Sequence, residues 1–204
     1  MIYEFRTYTL HPRCLGEFLK RFSEALPKRE AYSTLSAFWY SEIGPLNQVI
    51  HVWGYESLDA RAEARASAVA AGVWPPPTKD LIVDMTSEIF HPLPFSPPLE
   101  ASSHGPYFEM RSYTIGLGGI PEMAKRWEEH LPNRLALSPL IGVFTSDIGP
   151  LNKWVHIWAY PSLDQRNAIR SQAGREGIWP PPGPSPVIAQ ENIIMLAAPF
   201  SPIQ

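Results

Sequence analysis

The chain has 204 residues, of which 45% are apolar and 12% aromatic, and its formal net charge is -3. Such a chain can bury a sizeable core, but it has no excess of Lys and Arg to neutralise phosphates, which argues against nucleic acid as a partner. It contains no apolar run of the length that spans a bilayer, so no membrane span is predicted.

The stretch IYEFRTYTL at residues 2–10 predicts a β-strand with two chemically different faces. Alternation places Glu4, Arg6 and Tyr8 on one side and Phe5 on the other. The stretch lacks the basic start and apolar run of a signal peptide, and the only cysteine, Cys14, has no disulfide partner. We therefore expect a cytoplasmic location.

The elements that follow predict a ferredoxin-like unit. An amphipathic helix begins near residue 15, and Pro27 is expected to end it or to start a short second helix. Two strands flank the turn GPLN, which predicts a hairpin. A second helix is predicted from Ser57, its N-cap, to Gly72, and a last strand at about 81–91. The order is therefore βαββαβ.

The same order returns in the second part of the chain. SEIGPLNQVIHVWGY at 41–55 is repeated as SDIGPLNKWVHIWAY at 146–160, and the segments GVWPPP and PFSP are repeated at the same spacing. A period this long indicates two whole domains. We predict domains at 1–98 and 107–204, joined by a linker at about 99–106 that is poor in periodic pattern.

These motifs resemble the NIPSNAP family over close to the whole chain. The resemblance implies an α+β fold of the dimeric α+β barrel superfamily, with two ferredoxin-like βαββαβ domains packed sheet to sheet as a barrel. It implies no reaction, because animal members are described through vesicle traffic and mitochondrial quality control and bacterial members lack a settled function. One departure is that Trp74 and Trp179 run straight into three prolines, which puts the wall of any pocket there in doubt.

Side-chain parity suggests a ligand site between the two sheets. The aliphatic set of the hairpin strand, such as Ile50 and Val52, is expected to pack under the helices, so that the polar and aromatic set faces the barrel interior. His51 and His156 are the candidate catalytic residues, as groups that exchange a proton. The candidate ligand-binding residues are Glu4, Arg6, Tyr8, Trp53, Tyr55, Glu109, Arg111, Tyr113, Trp158 and Tyr160.

Structural roles compete with each of these assignments. The inward Glu and Arg can pair with each other, the histidines can be hydrogen-bonded core residues, and the aromatics can be packing. In each half, two arginines four residues apart share a helix face, and such a charged face is usually solvated. They are Arg61 and Arg65 in the first half and Arg166 and Arg170 in the second. No metal-ligand spacing and no nucleotide-binding motif is present, so neither a metal nor another cofactor is predicted.

Three functions remain open from the sequence. The first is a small-molecule-binding barrel of NIPSNAP type, and the second is an enzyme that uses the same cavity, such as a cofactor-free monooxygenase or an isomerase. The third is an adaptor that binds other proteins through its outer surface. The expected partner is a small-molecule ligand, and a homo-oligomer is compatible with the sequence.

Overall fold

The computed structural model describes residues 1–204 and contains eight strands and four helices. The first half of the chain forms β1 (Ile2–Leu10), α1 (Leu15–Glu30), β2 (Leu35–Ile43), β3 (Gln48–Tyr55), α2 (Leu58–Ala70) and β4 (Ile82–Pro92). The second half forms β5 (Tyr107–Ile115), α3 (Gly119–Leu135), β6 (Leu140–Ile148), β7 (Lys153–Tyr160), α4 (Leu163–Arg175) and β8 (Val187–Ala197). The predicted βαββαβ order is thus present twice. None of the four helices combines the length and apolar character needed to cross a bilayer.

The eight strands close into one antiparallel barrel within a single chain. Their order around the barrel is β1, β3, β2, β8, β5, β7, β6, β4, and β4 pairs again with β1. The two halves join where β2 pairs with β8, with Trp39 opposite Ala197, and where β4 pairs with β6, with Phe90 opposite Ser146. The sheet-to-sheet α+β barrel is therefore confirmed, and each half supplies the partner that the other half needs.

Apolar side chains from both halves fill the interior of this barrel. They include Phe5, Ile50 and Val52 of the first half and Phe108 and Val155 of the second, all in one buried cluster. An eight-stranded barrel is only wide enough for its own side chains to fill it. The interior is therefore a packed core.

Residues between the halves and at the C-terminus complete that core. Leu99 and Ile203 belong to the interior cluster, and Ser102 forms a bridge with Ile203. The backbone N–H of Leu99 donates to the hydroxyl of Tyr3 at 3.4 Å. The segment predicted as a linker thus packs against one end of the barrel.

The four helices lie outside the barrel, and α1 and α3 cover the outer faces of the two half-sheets. Phe18 and Phe22 of α1 pack against the first half-sheet, and Met123 and Trp127 of α3 pack against the second. Ser57 caps α2 as predicted, since its hydroxyl accepts from the N–H of Ala60 at 3.1 Å. The serine hydroxyl satisfies one of the backbone donors that a helix start leaves unpaired.

The predicted end of α1 at its proline is wrong. Helix α1 continues through Pro27 to Glu30, and α3 continues through Pro132 to Leu135. A proline removes one backbone hydrogen bond from a helix. In each helix a buried arginine follows two residues after the proline, Arg29 in α1 and Arg134 in α3. The buried contacts of that arginine hold the last turn in place.

The predicted orientation of the polar residues is also wrong, because the polar face of each half-sheet meets the helices and the aliphatic face meets the barrel interior. Parity grouped the residues correctly, and only the assignment of the two faces is reversed. The closed interior takes uncharged side chains, including rings as large as Trp39, whereas the charged side chains lie under the helices, where the arginines of α2 and α4 pair with the carboxylates. The residues placed under the helices are Glu4, Arg6, Tyr8, His51, Trp53, Tyr55, Glu109, Arg111, Tyr113, His156, Trp158 and Tyr160.

Candidate functional site

The candidate residues form two matched groups, one under the helices of each half. We call the group from Glu4, Arg6, Tyr8, His51, Trp53 and Tyr55 the first polar layer, and the group from Glu109, Arg111, Tyr113, His156, Trp158 and Tyr160 the second polar layer. Antiparallel pairing aligns them, since Arg6 lies opposite His51 and Arg111 lies opposite His156. Residues opposite each other in a ladder project from the same face. The structure therefore brings each predicted set together, but on the outer face of the barrel.

A buried carboxylate lies at the centre of the first polar layer. Glu4 is fully buried, and its Oε1 accepts from Arg6, Arg61 and Ser87 at 2.7 Å each. Burial raises the pKa of the Glu4 carboxyl, but the hydrogen bonds from Arg61 and Ser87 and the charge of Arg6 outweigh burial and lower the pKa to about 2. Glu4 is therefore ionised at neutral pH.

The second polar layer repeats this arrangement around Glu109. Its carboxylate accepts from Arg111 and Arg166, while Arg170 lies 3.9 Å away. Burial again raises the pKa of the carboxyl, and the hydrogen bond and charge of Arg166 reverse the effect, so that the net shift is downward. The arginines of α2 and α4, expected to be a solvated face, are thus partners of these carboxylates. The charged groups of each polar layer pair within their own half.

The two histidines are neutral, and each accepts a hydrogen bond from a tryptophan. The indole N–H of Trp53 donates to Nδ1 of His51, and that of Trp158 donates to Nδ1 of His156, both at 2.7 Å. Burial, reinforced by the charge of Arg6, lowers the pKa of His51 to about 3, and burial likewise lowers the pKa of His156 well below its ordinary value. With Nδ1 accepting, the proton of the neutral ring lies on Nε2.

Nε2 of each histidine is buried and has no hydrogen-bond partner. A proton-accepting role at this atom conflicts with the tautomer that the indole imposes. The imidazole of His156 is instead arranged to donate a hydrogen bond from Nε2.

Sequence reasoning missed a buried arginine in each half. Arg134 is 2% exposed, and it donates to the hydroxyls of Ser138 at 2.7 Å and Tyr160 at 3.1 Å. Its guanidinium carbon lies 4.1 Å from the centroid of the Trp158 ring. Arg29 makes the equivalent contacts to Tyr55 and Trp53. The signal was present, because each arginine follows the apolar face of its helix at a spacing of three residues, but a charged residue on that face was not expected.

An open cavity lies over the second polar layer. Its volume is about 520 Å³. Arg111, His156 and Trp158 of the sheet form its floor, and side chains of α3 and α4, among them Trp127 and Arg170, form two walls.

The remaining wall comes from the segment after α4. Trp179 and the prolines that follow it line the cavity, and the Trp179 ring lies 4.6 Å from the Trp127 ring and 6.1 Å from the Trp158 ring, between centroids. The Trp-Pro-Pro-Pro segment, whose departure from the family pattern had put this wall in doubt, therefore lines the cavity.

The first half differs from the second at the entrance of this space. Leu81 is buried in the apolar cluster of the first half, whereas the equivalent residue, Pro186, lines the cavity. Arg21 ties the preceding segment to α1 through Asp80 at 2.8 Å and the carbonyl of Pro77 at 2.9 Å. The same segment of the second half has Ser185 in place of the aspartate.

No group of three or more His, Cys, Asp or Glu side chains is placed to hold a metal ion in this structure. The donors around the cavity are guanidinium, indole, imidazole and amide groups. These groups are suited to hydrogen bonding and charge pairing with an organic ligand.

The NIPSNAP family model matches the chain twice, at residues 3–97 and 108–202. The chain belongs to the NIPSNAP family. Among its curated relatives, human NipSnap homolog 3A is 28% identical over 100% of this chain and 86% of the relative, and the Dictyostelium discoideum NipSnap homolog is 30% identical over 87% of this chain and 78% of the relative.

Solved structures support the fold over the whole NIPSNAP chain. A protein from Lactobacillus acidophilus, described as a candidate monooxygenase, superposes with a TM-score of 0.63 at 9% identity and covers 98% of this chain and 97% of its own. At that level of identity the similarity shows the α+β barrel fold alone.

Proposed function

We propose that this NIPSNAP protein binds a small organic molecule in the cavity over the second polar layer. The observation that carries the proposal is the cavity of about 520 Å³ in the second half, which aromatic rings and several guanidinium groups line. Ligand pockets commonly have volumes of about 300 to 1,000 Å³, with apolar walls and a few polar groups that fix orientation. The proposal moves the ligand from the barrel interior, which apolar side chains fill, to the outer face of the second half-sheet.

The polar groups at the floor favour a ligand over plain packing. An unsatisfied buried donor costs about 1–3 kcal/mol, and both His51 and His156 have one, so only the cavity beside His156 distinguishes the second half. Gln190 lies at the same floor and already accepts from Arg111 at 3.3 Å, which leaves its amide N–H groups for a second contact.

Catalysis is the second candidate, and one feature favours it. A hydrogen-bond donor and several guanidinium groups around one cavity can stabilise negative charge that develops on a bound molecule. His156 would serve as that donor and not as the proton-accepting base expected from the sequence. The candidate monooxygenase of the same fold is too distant for its activity to be transferred, so the reaction class stays open within this second proposal.

Binding of a neutral aromatic dye tests the proposal. N-phenyl-1-naphthylamine increases its emission in apolar surroundings, and we expect saturable binding of one dye molecule per chain. Gly174 lines the cavity, and a Cβ atom added there meets no atom within 4 Å. Gly174→Phe should therefore fill the cavity and weaken dye binding by about tenfold or more.

The duplicated chain offers a matched control. Val69 occupies the position of Gly174 in the first half and is 58% exposed, so Val69→Phe should leave dye binding unchanged. Absence of saturable binding, or equal weakening by the two substitutions, would contradict the proposal. An adaptor function, the third hypothesis from the sequence, predicts instead a protein partner whose binding survives Gly174→Phe.

A further inference from the structure

Charge is distributed unevenly around the cavity of the second half. Its lining contains four arginines and neither Asp nor Glu; the four are Arg111, Arg126, Arg134 and Arg170. Glu109, buried beneath this lining, is a single carboxylate that already faces Arg111, Arg166 and Arg170. The cavity therefore carries an excess of positive charge, and guanidinium groups are strong ligands for carboxylates.

Three of these arginines have counterparts with the same contacts in the first half. Arg111 pairs with Glu109 as Arg6 pairs with Glu4, and Arg134 contacts a tyrosine hydroxyl and a tryptophan ring as Arg29 does. Arg170 lies 3.9 Å from Glu109 as Arg65 lies 3.7 Å from Glu4. A contact kept in both halves is explained by the scaffold, so these three residues do not by themselves indicate a ligand.

Arg126 is different, because its acidic partners in the first half are missing or displaced in the second. Its counterpart, Arg21, bonds to Glu17 at 2.7 Å and to Asp80 at 2.8 Å. Arg126 donates to the backbone carbonyls of Pro182 and Pro184, and its nearest carboxylate, Glu122, is 3.6 Å away. Its buried Nε has no partner. A guanidinium beside the cavity is thus left with its charge poorly compensated.

Arg170 adds a second guanidinium to the cavity lining, although its weak contact to a carboxylate is the same as that of Arg65 in the first half. It forms no hydrogen bond with the protein, its one ion-pair contact is 3.9 Å to Glu109, and its side chain is 39% exposed. Arg126 of α3 and Arg170 of α4 lie on two different walls of the cavity. Each provides positive charge and free N–H groups.

The rest of the lining indicates the other part of the ligand. Trp127, Trp158 and Trp179 present aromatic surface, which suits a flat ring. Gln190 replaces the Met85 of the first half, so the second half has also gained an amide that can hydrogen-bond to a polar substituent.

We propose that the ligand is an aromatic carboxylate, with its carboxylate held by Arg126 and Arg170 and its ring against the three tryptophans. This inference rests on the proposed binding function and adds the ligand class to it. The chemistry required is a planar apolar ring that carries a single carboxylate.

Calorimetric titration with 2-naphthoate and 2-naphthamide separates charge from shape, because the two probes differ only in replacement of the carboxylate by a neutral amide. We expect the carboxylate to bind about tenfold or more tightly than the amide. Arg126→Gln should bring the two affinities close together. Ser185→Asp, which restores the carboxylate found at Asp80 in the first half, should do the same without removing the arginine.

Arg21→Gln, the matched substitution in the first half, should leave the preference intact. Binding of the neutral dye N-phenyl-1-naphthylamine to each variant reports whether the cavity is still formed. If the dye binds but the carboxylate and the amide bind equally, or the amide binds better, the ligand class is wrong and the binding function stands. If neither the dye nor the naphthalene probes bind, the function fails and the ligand class fails with it. Displacement of 2-naphthoate by inorganic phosphate at equal concentration would also overturn the inference, since it would show that the ring contributes nothing.

Discussion

The two halves of this chain share their scaffold and differ at one side of one cavity. Both halves retain the buried glutamate, the histidine that accepts from an indole, and the arginine at the end of the first helix. They diverge after the Trp-Pro-Pro-Pro motif, where Asp80 and Leu81 correspond to Ser185 and Pro186. The repeated residues therefore stabilise the fold in both places, and the candidate binding site depends on positions where the copies differ.

This comparison changes which residues carry functional information. Every candidate site residue predicted from the sequence is repeated in the other half. The structure shows that such residues also meet a demand that both halves share, which is to bury charged groups under two helices with adequate partners. The differences between the copies are the stronger indication of a ligand.

The largest expected effect is on stability, from removal of a buried carboxylate. Glu4→Ala leaves three arginines without their common partner, and loss of one member of a buried ion cluster costs about 3–5 kcal/mol in the free energy of unfolding. Glu109→Ala should cost about the same, because the arginines around Glu109 are as little exposed as those around Glu4. Urea denaturation of both variants measures the two costs, and a clearly smaller cost for Glu109→Ala would mean that water from the cavity hydrates the second polar layer.

Substitution of Leu81 tests how the first half is closed. Leu81→Ala removes a buried side chain and should lower the free energy of unfolding by about 2–5 kcal/mol. Pro186→Ala, at the equivalent position in the second half, should cost less than about 1 kcal/mol, because the proline already borders open space. Dye titration sharpens the result, since Leu81→Ala should add a second, weaker site for N-phenyl-1-naphthylamine. A stoichiometry that stays at one would show that other residues close the first half.

Acid should destabilise the two halves similarly through their histidines. The pKa of His51 is about 3 in the folded protein and near 6.5 in the unfolded chain. Between these values the unfolded state binds the additional proton, so the stability present above pH 6.5 is lost as the pH falls toward 3. The loss from each buried histidine is about 1.4 kcal/mol per pH unit.

Replacing one histidine by asparagine should remove the contribution of that histidine to the pH dependence of the free energy of unfolding. The pKa of His156 is also lowered by burial, so His156→Asn and His51→Asn should each reduce the slope of unfolding free energy between pH 6.5 and 4.5 by the same amount. The window stops at 4.5 because Glu4, whose pKa is lowered to about 2, contributes below it. A slope unchanged by either substitution would mean that the imidazoles are charged in the folded state.

The smallest expected effect concerns a feature that the two halves share. Ser57 and Ser162 each accept a hydrogen bond from a backbone N–H at 3.1 Å at the start of α2 and α4. Ser57→Ala and Ser162→Ala should each lower the thermodynamic stability by about 1 kcal/mol. Chemical denaturation should give the same value for both, and a clear inequality would show that the halves differ beyond the cavity.

The local elements of the fold could be predicted because their signals are local. Alternation identified the strands, helical spacing identified α1 and α3, and Ser57 marked the start of α2. The predicted end of α1 at Pro27 was wrong. The helix continues past this proline, where Arg29 contacts Tyr55, and these two residues are far apart in sequence.

The candidate site could be predicted only as a grouping of residues. Alternation shows that His51 and Trp53 share a face, and the structure joins them by a hydrogen bond. The same alternation is unchanged when the two faces are exchanged, so it cannot say which face meets the barrel and which meets the helices. Trp179 reaches the cavity, and Pro182 and Pro184 meet Arg126 of α3, through the path of the chain after α4, which no periodic pattern records.

The sequence alone determined the duplication, the βαββαβ order of each half, the family and the sets of residues that share a strand face, because these follow from repeat spacing and backbone periodicity. Only the tertiary structure decided that the aliphatic faces meet in the barrel and that the polar faces lie under the helices. The physical reason is charge: apolar side chains fill the closed barrel interior, whereas under the helices the arginines of α2 and α4 pair with Glu4 and Glu109. Pro186 borders the cavity of the second half at the position where the first half has the buried Leu81.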